Sequence, residues 1–290
     1  MLSSELIKKA DQIFLRSRHK VTNVFAGEFE SAFRGSGIEF EEFREYIPGD
    51  DVRQIDWNVT ARFDRPFLKI FREEREQTIF FLIDQSRSQD FGAARSKRDV
   101  VTEVAALLAY ATLKTNDKVG LILFTDRVEK FIPPKKGRAH VWHLIATILS
   151  HEPQGRGTEI SEALRFLVTV ATRRSTCFLI SDFWDAGFVP ALKVTSAKHE
   201  LIAIRVLDAL EQTLPIGALV EFADNESGAS LALDLSNRVN RQNLLSDMQQ
   251  RTGQLQKVLR GCGTDLVDLI TGENHVEALL EFFLTREKKR

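Results

Sequence analysis

Along residues 77–290, short apolar runs alternate with longer stretches of helical period. The runs "TIFFLID" (78–84), "KVGLILFTD" (118–126), "RVEKFIP" (127–133), "TCFLISD" (176–182), "ELIAIRVLD" (200–208) and "DLVDLI" (265–270) read as strands. Between them, apolar positions recur at helical spacing over 96–117, 139–150, 159–171, 188–197, 236–260 and 274–286, and residues 214–235 read as a hairpin. Most of these strands are apolar on both alternating faces rather than one. That is the signature of strands covered from both sides, and with helices between them it predicts a mainly parallel sheet. The fold class expected is therefore α/β, doubly wound, with helices on both faces.

The first 76 residues follow a different pattern. Residues 3–17 predict a short amphipathic helix, with Leu6, Ala10, Ile13 and Phe14 on one side and Ser3 or Ser4 as N-cap. Residues 35–76 mix aromatic side chains with dense charge of both signs, contain the turn signal "PGDD", and read as short strands and loops. The chain is accordingly divided into a small charged N-terminal extension (1–76) and a larger α/β domain (77–290). Within the extension, "GDDVRQIDWN" has two readings. In one, Ile55 and Trp57 pack the segment down while Arg53 and Asp56 form surface ion pairs; in the other it is a second docking surface.

Composition narrows the classes. Of 290 residues 43% are hydrophobic and 28% charged, and the formal net charge is −1. So balanced a chain has no whole-surface field for nucleic acid or anionic membrane, and basic clusters such as "ATRRS" and "PPKKGR" read as solvated faces. Two cysteines, Cys177 and Cys262, make no disulfide framework, which points to a reducing compartment. The opening "MLSSELIKKADQIFL" carries charges where a signal peptide needs an apolar core. The longest apolar stretch, around "VAALLAYATL", falls far short of the ~20 residues that span a bilayer. The expectation is a cytoplasmic protein without membrane insertion.

In open parallel sheets, ligands bind beyond the carboxyl ends of the strands. There "TIFFLIDQSRS" ends in Asp84, Ser86 and Ser88, and "TCFLISD" ends in Asp182. Between them "GRGTEI" sets Thr158 in a glycine-flanked loop, where Gly155 and Gly157 permit close approach. Asp and Ser favour turns and caps on their own account, but two carboxylates and three hydroxyls on three loops form a set of hard oxygens. Such a set suits Mg²⁺ or Mn²⁺.

Competing chemistries fare less well. An Mg²⁺-dependent phosphatase or nuclease-type hydrolase would use Asp84 as a strand-end nucleophile, yet the second carboxylate of a D-x-D pattern is replaced by Ser86. His140 and His143 are one helical turn apart, a zinc-compatible spacing, but the glutamate of H-E-x-x-H is missing. Neither a phosphate-binding G-x-x-x-x-G-K-[ST] loop nor a G-x-S-x-G elbow occurs.

"DQSRS", Thr158 and Asp182 together resemble the metal-ion-dependent adhesion site of von Willebrand factor A (vWA) domains. The strings "YIPGDDVRQIDWN", "FLKIFREERE", "SKRDVVTEVAALLAYATLKTNDKVGLILFTDRVEKFIPPKKGRAHV" and "LISDF" resemble, more closely, the family called domain of unknown function 58. The resemblance runs from about residue 36 to 185, with Gln89 standing where related domains often carry Met. It implies a vWA-like, non-enzymatic binding module. In it Ser86 and Ser88 hold a divalent cation directly, with Thr158 held or shifting by state. Asp84 and Asp182 act mainly through water, and an open position accepts an acidic residue of a partner. It also implies a MoxR-type AAA+ ATPase as that partner, in chaperone-like maturation or assembly of other proteins.

Overall fold

The computed structural model describes residues 4–33, 37–63, 65–74, 77–86, 96–155, 157–209, 219–223 and 230–288. Ser3, Ser88 and Gln89, named above, lie outside these residues. The chain divides into two compact units, Met1–Ala32 with Thr78–Arg290, and Phe33–Gln77.

The larger unit is built on a six-stranded sheet. Its strands are β3 (Thr78–Asp84), β4 (Lys118–Phe124), β5 (Val128–Lys135), β6 (Thr176–Ser181), β7 (Glu200–Leu207) and β10 (Asp265–Ile270). They lie in the order β10-β7-β6-β3-β4-β5, all pairings parallel except β4 with β5. The fold is thus α/β, doubly wound around a mostly parallel sheet. After β3 the chain winds outward through β4 and β5, then returns to the other side of β3 as β6. The carboxyl ends of β3 and β6 consequently flank the point where the winding reverses, where ligands of open sheets bind.

Alternation along each strand serves two separate apolar layers. One face contributes Phe80, Leu82, Ile122, Phe124, Cys177 and Leu179, which pack on α6 (Ile160–Val170), α7 (Val189–Lys198) and Leu259 of α8 (Arg238–Gly261). Cys177, fully buried there, is a small core residue. The other face carries Phe81 and Phe178, whose rings stack at 5.6 Å. Phe178 in turn stacks on Phe29 of α2 (Asn23–Ala32), and Phe29 meets Phe283 of α9 (His275–Glu287) edge-on. On the same unit, α1 (Ser4–Lys20) packs against α4 (Lys97–Thr115) and α5 (Arg138–Ser150).

The division at residue 76 expected from composition therefore differs from the one found. The amphipathic N-terminal helix exists and extends to Lys20, a second helix follows it, and both belong with the sheet because Phe14, Phe25 and Phe29 are buried in its unit. Composition could not reveal this, since the partners of those side chains lie far along the chain.

Residues 33–77 form a unit of their own: a hairpin of β1 (Gly37–Glu45) and β2 (Phe67–Glu74), with α3 (Trp57–Phe63) between them in sequence. Ile55 forms a β-bridge to Leu68 within this unit, and Trp57 is 69% exposed. Asp56 is in an ion pair, but its own side chain is buried. Its buried carboxylate caps α3 through the N–H groups of Asn58 (2.8 Å) and Val59 (3.1 Å), and meets Lys69 Nζ at 2.6 Å. Within the hairpin expected over 214–235, β8 (Leu219–Ala223) and β9 (Ser230–Asp234) pair antiparallel, while 214–218 and 224–229 lie outside the described residues. No helix among the described residues is long and apolar enough to cross a membrane.

Candidate functional site

Parallel pairing of Ile83 with Ile180 sets the last residue of β3, Asp84, level with the last residue of β6, Ser181. Ser181 Oγ donates to Asp84 Oδ2 at 2.7 Å, and the Ser86 N–H donates to Asp84 Oδ1 at 2.8 Å. Asp84, Gln85, Ser86, Ser181 and Asp182 are all buried. A carboxylate so withdrawn from water favours its proton. Burial, and then the charge of Asp182, raise the Asp84 carboxyl to about 7 against the hydrogen bonds of Ser181 and Ser86.

Beyond β6 the backbone turns sharply. Phe183 takes a φ of 59°, the left-handed region that a bulky side chain rarely occupies. The turn lets the Phe183 N–H reach Ser181 Oγ (3.1 Å) and leaves Asp182 Oδ1 facing the Trp184 N–H at 3.4 Å. Backbone strain of this kind gathers at functional sites. Buried Phe183 and Phe188 hold the turn from beneath, with ring centroids 6.0 Å apart.

The third loop is brought in by residues the sequence reading did not single out. Asp185 Oδ2 accepts from the Ile160 N–H at 2.9 Å, tying the loop after β6 to the start of α6, two residues past Thr158. Glu129 of β5 grips the same loop from the other end. Its carboxylate accepts from Thr125 Oγ1 (2.7 Å), Gly155 N–H (2.7 Å), Gln154 N–H (2.9 Å) and, through a 2.7 Å contact, His151 Nε2. Burial alone would raise the Glu129 carboxyl, but these bonds, led by Gly155, bring it down to about 2. The Glu159 N–H closes the arrangement on Thr125 C=O at 2.9 Å. Gly155 is required here, because a Cβ would run into Thr125 Oγ1 and Asp126 Oδ1. Glycine was legible as permitting a close approach; its neighbours were not.

A second unforeseen participant is Lys97, the first residue of α4. Its Nζ lies 3.5 Å from Asp182 Oδ2, and both side chains are almost wholly buried, at 2% and 1% exposure. Among the described residues Asp182 Oδ2 accepts no hydrogen bond, and neither does buried Gln85 Oε1 beside Asp84. Ser96 caps α4 by accepting from the Asp99 N–H.

Of the five residues singled out from sequence, Asp84 ends β3, Ser86 and Asp182 follow the ends of β3 and β6, Thr158 lies in the connection between α5 and α6, and Ser88 lies outside the described residues. Two buried carboxylates with an oxygen lacking a hydrogen bond, beside hydroxyl side chains, are a donor set fit for a hard divalent cation. Among the described residues no group of three or more His, Cys, Asp and Glu is gathered to hold a metal. His140, one half of the spacing considered for zinc, instead bonds through Nε2 to Val119 C=O at 2.8 Å.

Comparison with known proteins gives one family. The model described as "Protein of unknown function DUF58" matches residues 42–253. The uncharacterized protein Rv1480 of Mycobacterium tuberculosis (strain ATCC 25618 / H37Rv) is 29% identical over 278 residues, covering 94% of this chain and 87% of that one. Among solved structures, the conserved hypothetical protein BatB from Bacteroides thetaiotaomicron superposes with a TM-score of 0.45 at 15% identity, covering 74% of this chain and all of that one. A von Willebrand factor type A protein from Catenulispora acidiphila gives 0.41 at 13% identity, covering 74% and 42%. The sheet order and winding described above, rather than these superpositions, define the fold.

Proposed function

The chain belongs to the DUF58 family, and from that premise we propose that it is a non-enzymatic, vWA-like protein-interaction module that binds Mg²⁺ or Mn²⁺ and, through it, an acidic residue of a partner. The carrying observation is the pair of buried carboxylates, Asp84 raised to about 7 by burial and by Asp182, and Asp182 with an oxygen accepting no hydrogen bond among the described residues. Mutual repulsion of buried carboxylates is relieved by a cation or a proton, and the neighbouring side chains are hydroxyls that add oxygen without adding charge.

The residues that would hold the ion are Asp84, Ser86, Ser88, Thr158 and Asp182. The ion would supply a strong, incompletely neutralised positive charge for a carboxylate to meet. The chain's own work is positional. Ser181 and the Ser86 N–H orient Asp84, the strained turn at Phe183 orients Asp182, and Glu129 with Asp185 holds both ends of the loop that carries Thr158.

The partner proposed is a MoxR-type AAA+ ATPase, which would do the work while this chain recognises, in chaperone-like maturation or assembly within the cytoplasm. Ser86, standing where a hydrolase of the D-x-D type needs a second carboxylate, favours binding over turnover. Two measurements test the reading. Titration with Mn²⁺ followed by electron paramagnetic resonance should show one bound ion in the wild type and none in the D84A/S86A double variant. Capture of the purified ATPase should require Mg²⁺ and be lost in excess EDTA. Capture that survives both the double variant and EDTA would rule out a metal bridge.

A further inference from the structure

We propose that Lys97 sets the net charge of this site, weakening its hold on the divalent cation and strengthening the hold of the loaded site on a carboxylate; this rests on the metal-site reading above. Lysine is almost never fully buried unless paired, and a cation in the first turn of a helix faces the positive end of the helix dipole. Lys97 accepts both costs as the first residue of α4. What offsets them is its place: the ammonium enters the interior 3.5 Å from Asp182 Oδ2, with both side chains removed from solvent.

Charge bookkeeping gives the consequence. Above pH 7, where the Asp84 carboxylate is ionised, the two carboxylates and the one ammonium gathered here sum to a formal charge of −1. A divalent cation takes it to +1. Without Lys97 the same ion would bring it only to zero, since the hydroxyls of Ser86 and Thr158 carry no charge. In a site so withdrawn from water, one unit of charge is poorly screened. Lys97 therefore opposes the incoming cation and, once the cation is in, attracts an incoming anion. An ion that binds weakly alone and more firmly with its carboxylate partner makes each ligand depend on the other by the same factor.

The experiment uses the full chain with Mn²⁺ as metal probe and acetate as carboxylate probe. K97M keeps the length and apolar stem of the side chain and removes its charge; K97R keeps the charge. K97M is expected to bind Mn²⁺ about tenfold or more tightly than the wild type. K97R is expected to stay near the wild-type value, and acetate to enhance Mn²⁺ binding more in the wild type than in K97M. A purely structural role would push K97M the other way, toward weaker binding. Unchanged or weaker Mn²⁺ affinity in K97M, with wild-type circular dichroism, overturns the proposal while leaving the metal site standing. Absence of Mn²⁺ binding in the wild type and K97M alike overturns the metal site itself, and this role of Lys97 with it. K97Q, read the same way, decides the matter if K97M does not fold.

Discussion

Ser181 Oγ donates to Asp84 Oδ2 at 2.7 Å, joining the last residue of β6 to the last residue of β3 across the point where the winding of the sheet reverses. Both residues are buried, so the bond has no water to replace it. Above pH 7, where Asp84 is ionised, Ser181→Ala should cost about 1–3 kcal/mol, the penalty for a buried charged group losing a donor. Urea unfolding of the two proteins at pH 8 measures it. A negligible difference would show that Asp84 does not depend on Ser181.

The carboxylate of Glu129 should act as a pH-dependent clamp. Its pKa is depressed from the ordinary 4.5 to about 2 in the folded chain. The native state thus binds its proton less readily than the unfolded one. The stabilisation is complete above about pH 5 and is lost as pH falls toward 2. Glu129→Gln should lower stability at pH 7 by about 2–3 kcal/mol, and the gap between variant and wild type should close on acidification. Denaturant unfolding from pH 7 to pH 3 tests the sign, and a gap that widens at low pH would contradict it.

Two glycines should respond oppositely to the same substitution. Gly155→Ala places a methyl against Thr125 Oγ1 and Asp126 Oδ1, and overpacking of this kind costs about 1–3 kcal/mol. Gly253, inside α8, has nothing within 4 Å of an added Cβ, so Gly253→Ala should stabilise by about 0.5–1 kcal/mol through helix propensity alone. Thermal unfolding of both variants checks the pair.

Membership of the N-terminal helices in the sheet unit is testable at Phe29, which is 1% exposed and touches the rings of Phe178 and Phe283. Phe29→Ala should destabilise the whole unit by about 3–5 kcal/mol, in a single transition. If residues 1–32 were a mere extension, the sheet would melt at its wild-type temperature.

The strands of the main sheet were legible because burial on both faces leaves a continuous apolar run, as in "TIFFLID" and "TCFLIS". The ends of these two were legible too, because each stops on an aspartate, Asp84 or Asp182, at or just past the strand. The second helix, "NVFAGEFESA", was not. It is short, with glycine in its middle, and its reason to form lies in Phe25 and Phe29 meeting Phe283, more than two hundred residues onward. Of the two readings of "GDDVRQIDWN", the packed one had Trp57 buried, and Trp57 is exposed; the interior-directed group at that turn is the capping carboxylate of Asp56.

The sequence by itself determined the alternation of strand and helix, the parallel sheet, and the presence of Asp84 and Asp182 at strand ends, since each follows from local periodicity and from where an apolar run stops. Only the tertiary structure decided that Lys97 turns inward to Asp182, that Glu129 grips the loop before Thr158, and that residues 1–32 belong with the sheet. A lysine at the start of a helix reads as a solvated charge, and a glutamate in an edge strand reads as an exposed one. What reverses both readings is the approach of groups tens of residues apart, which packing sets and local pattern does not carry.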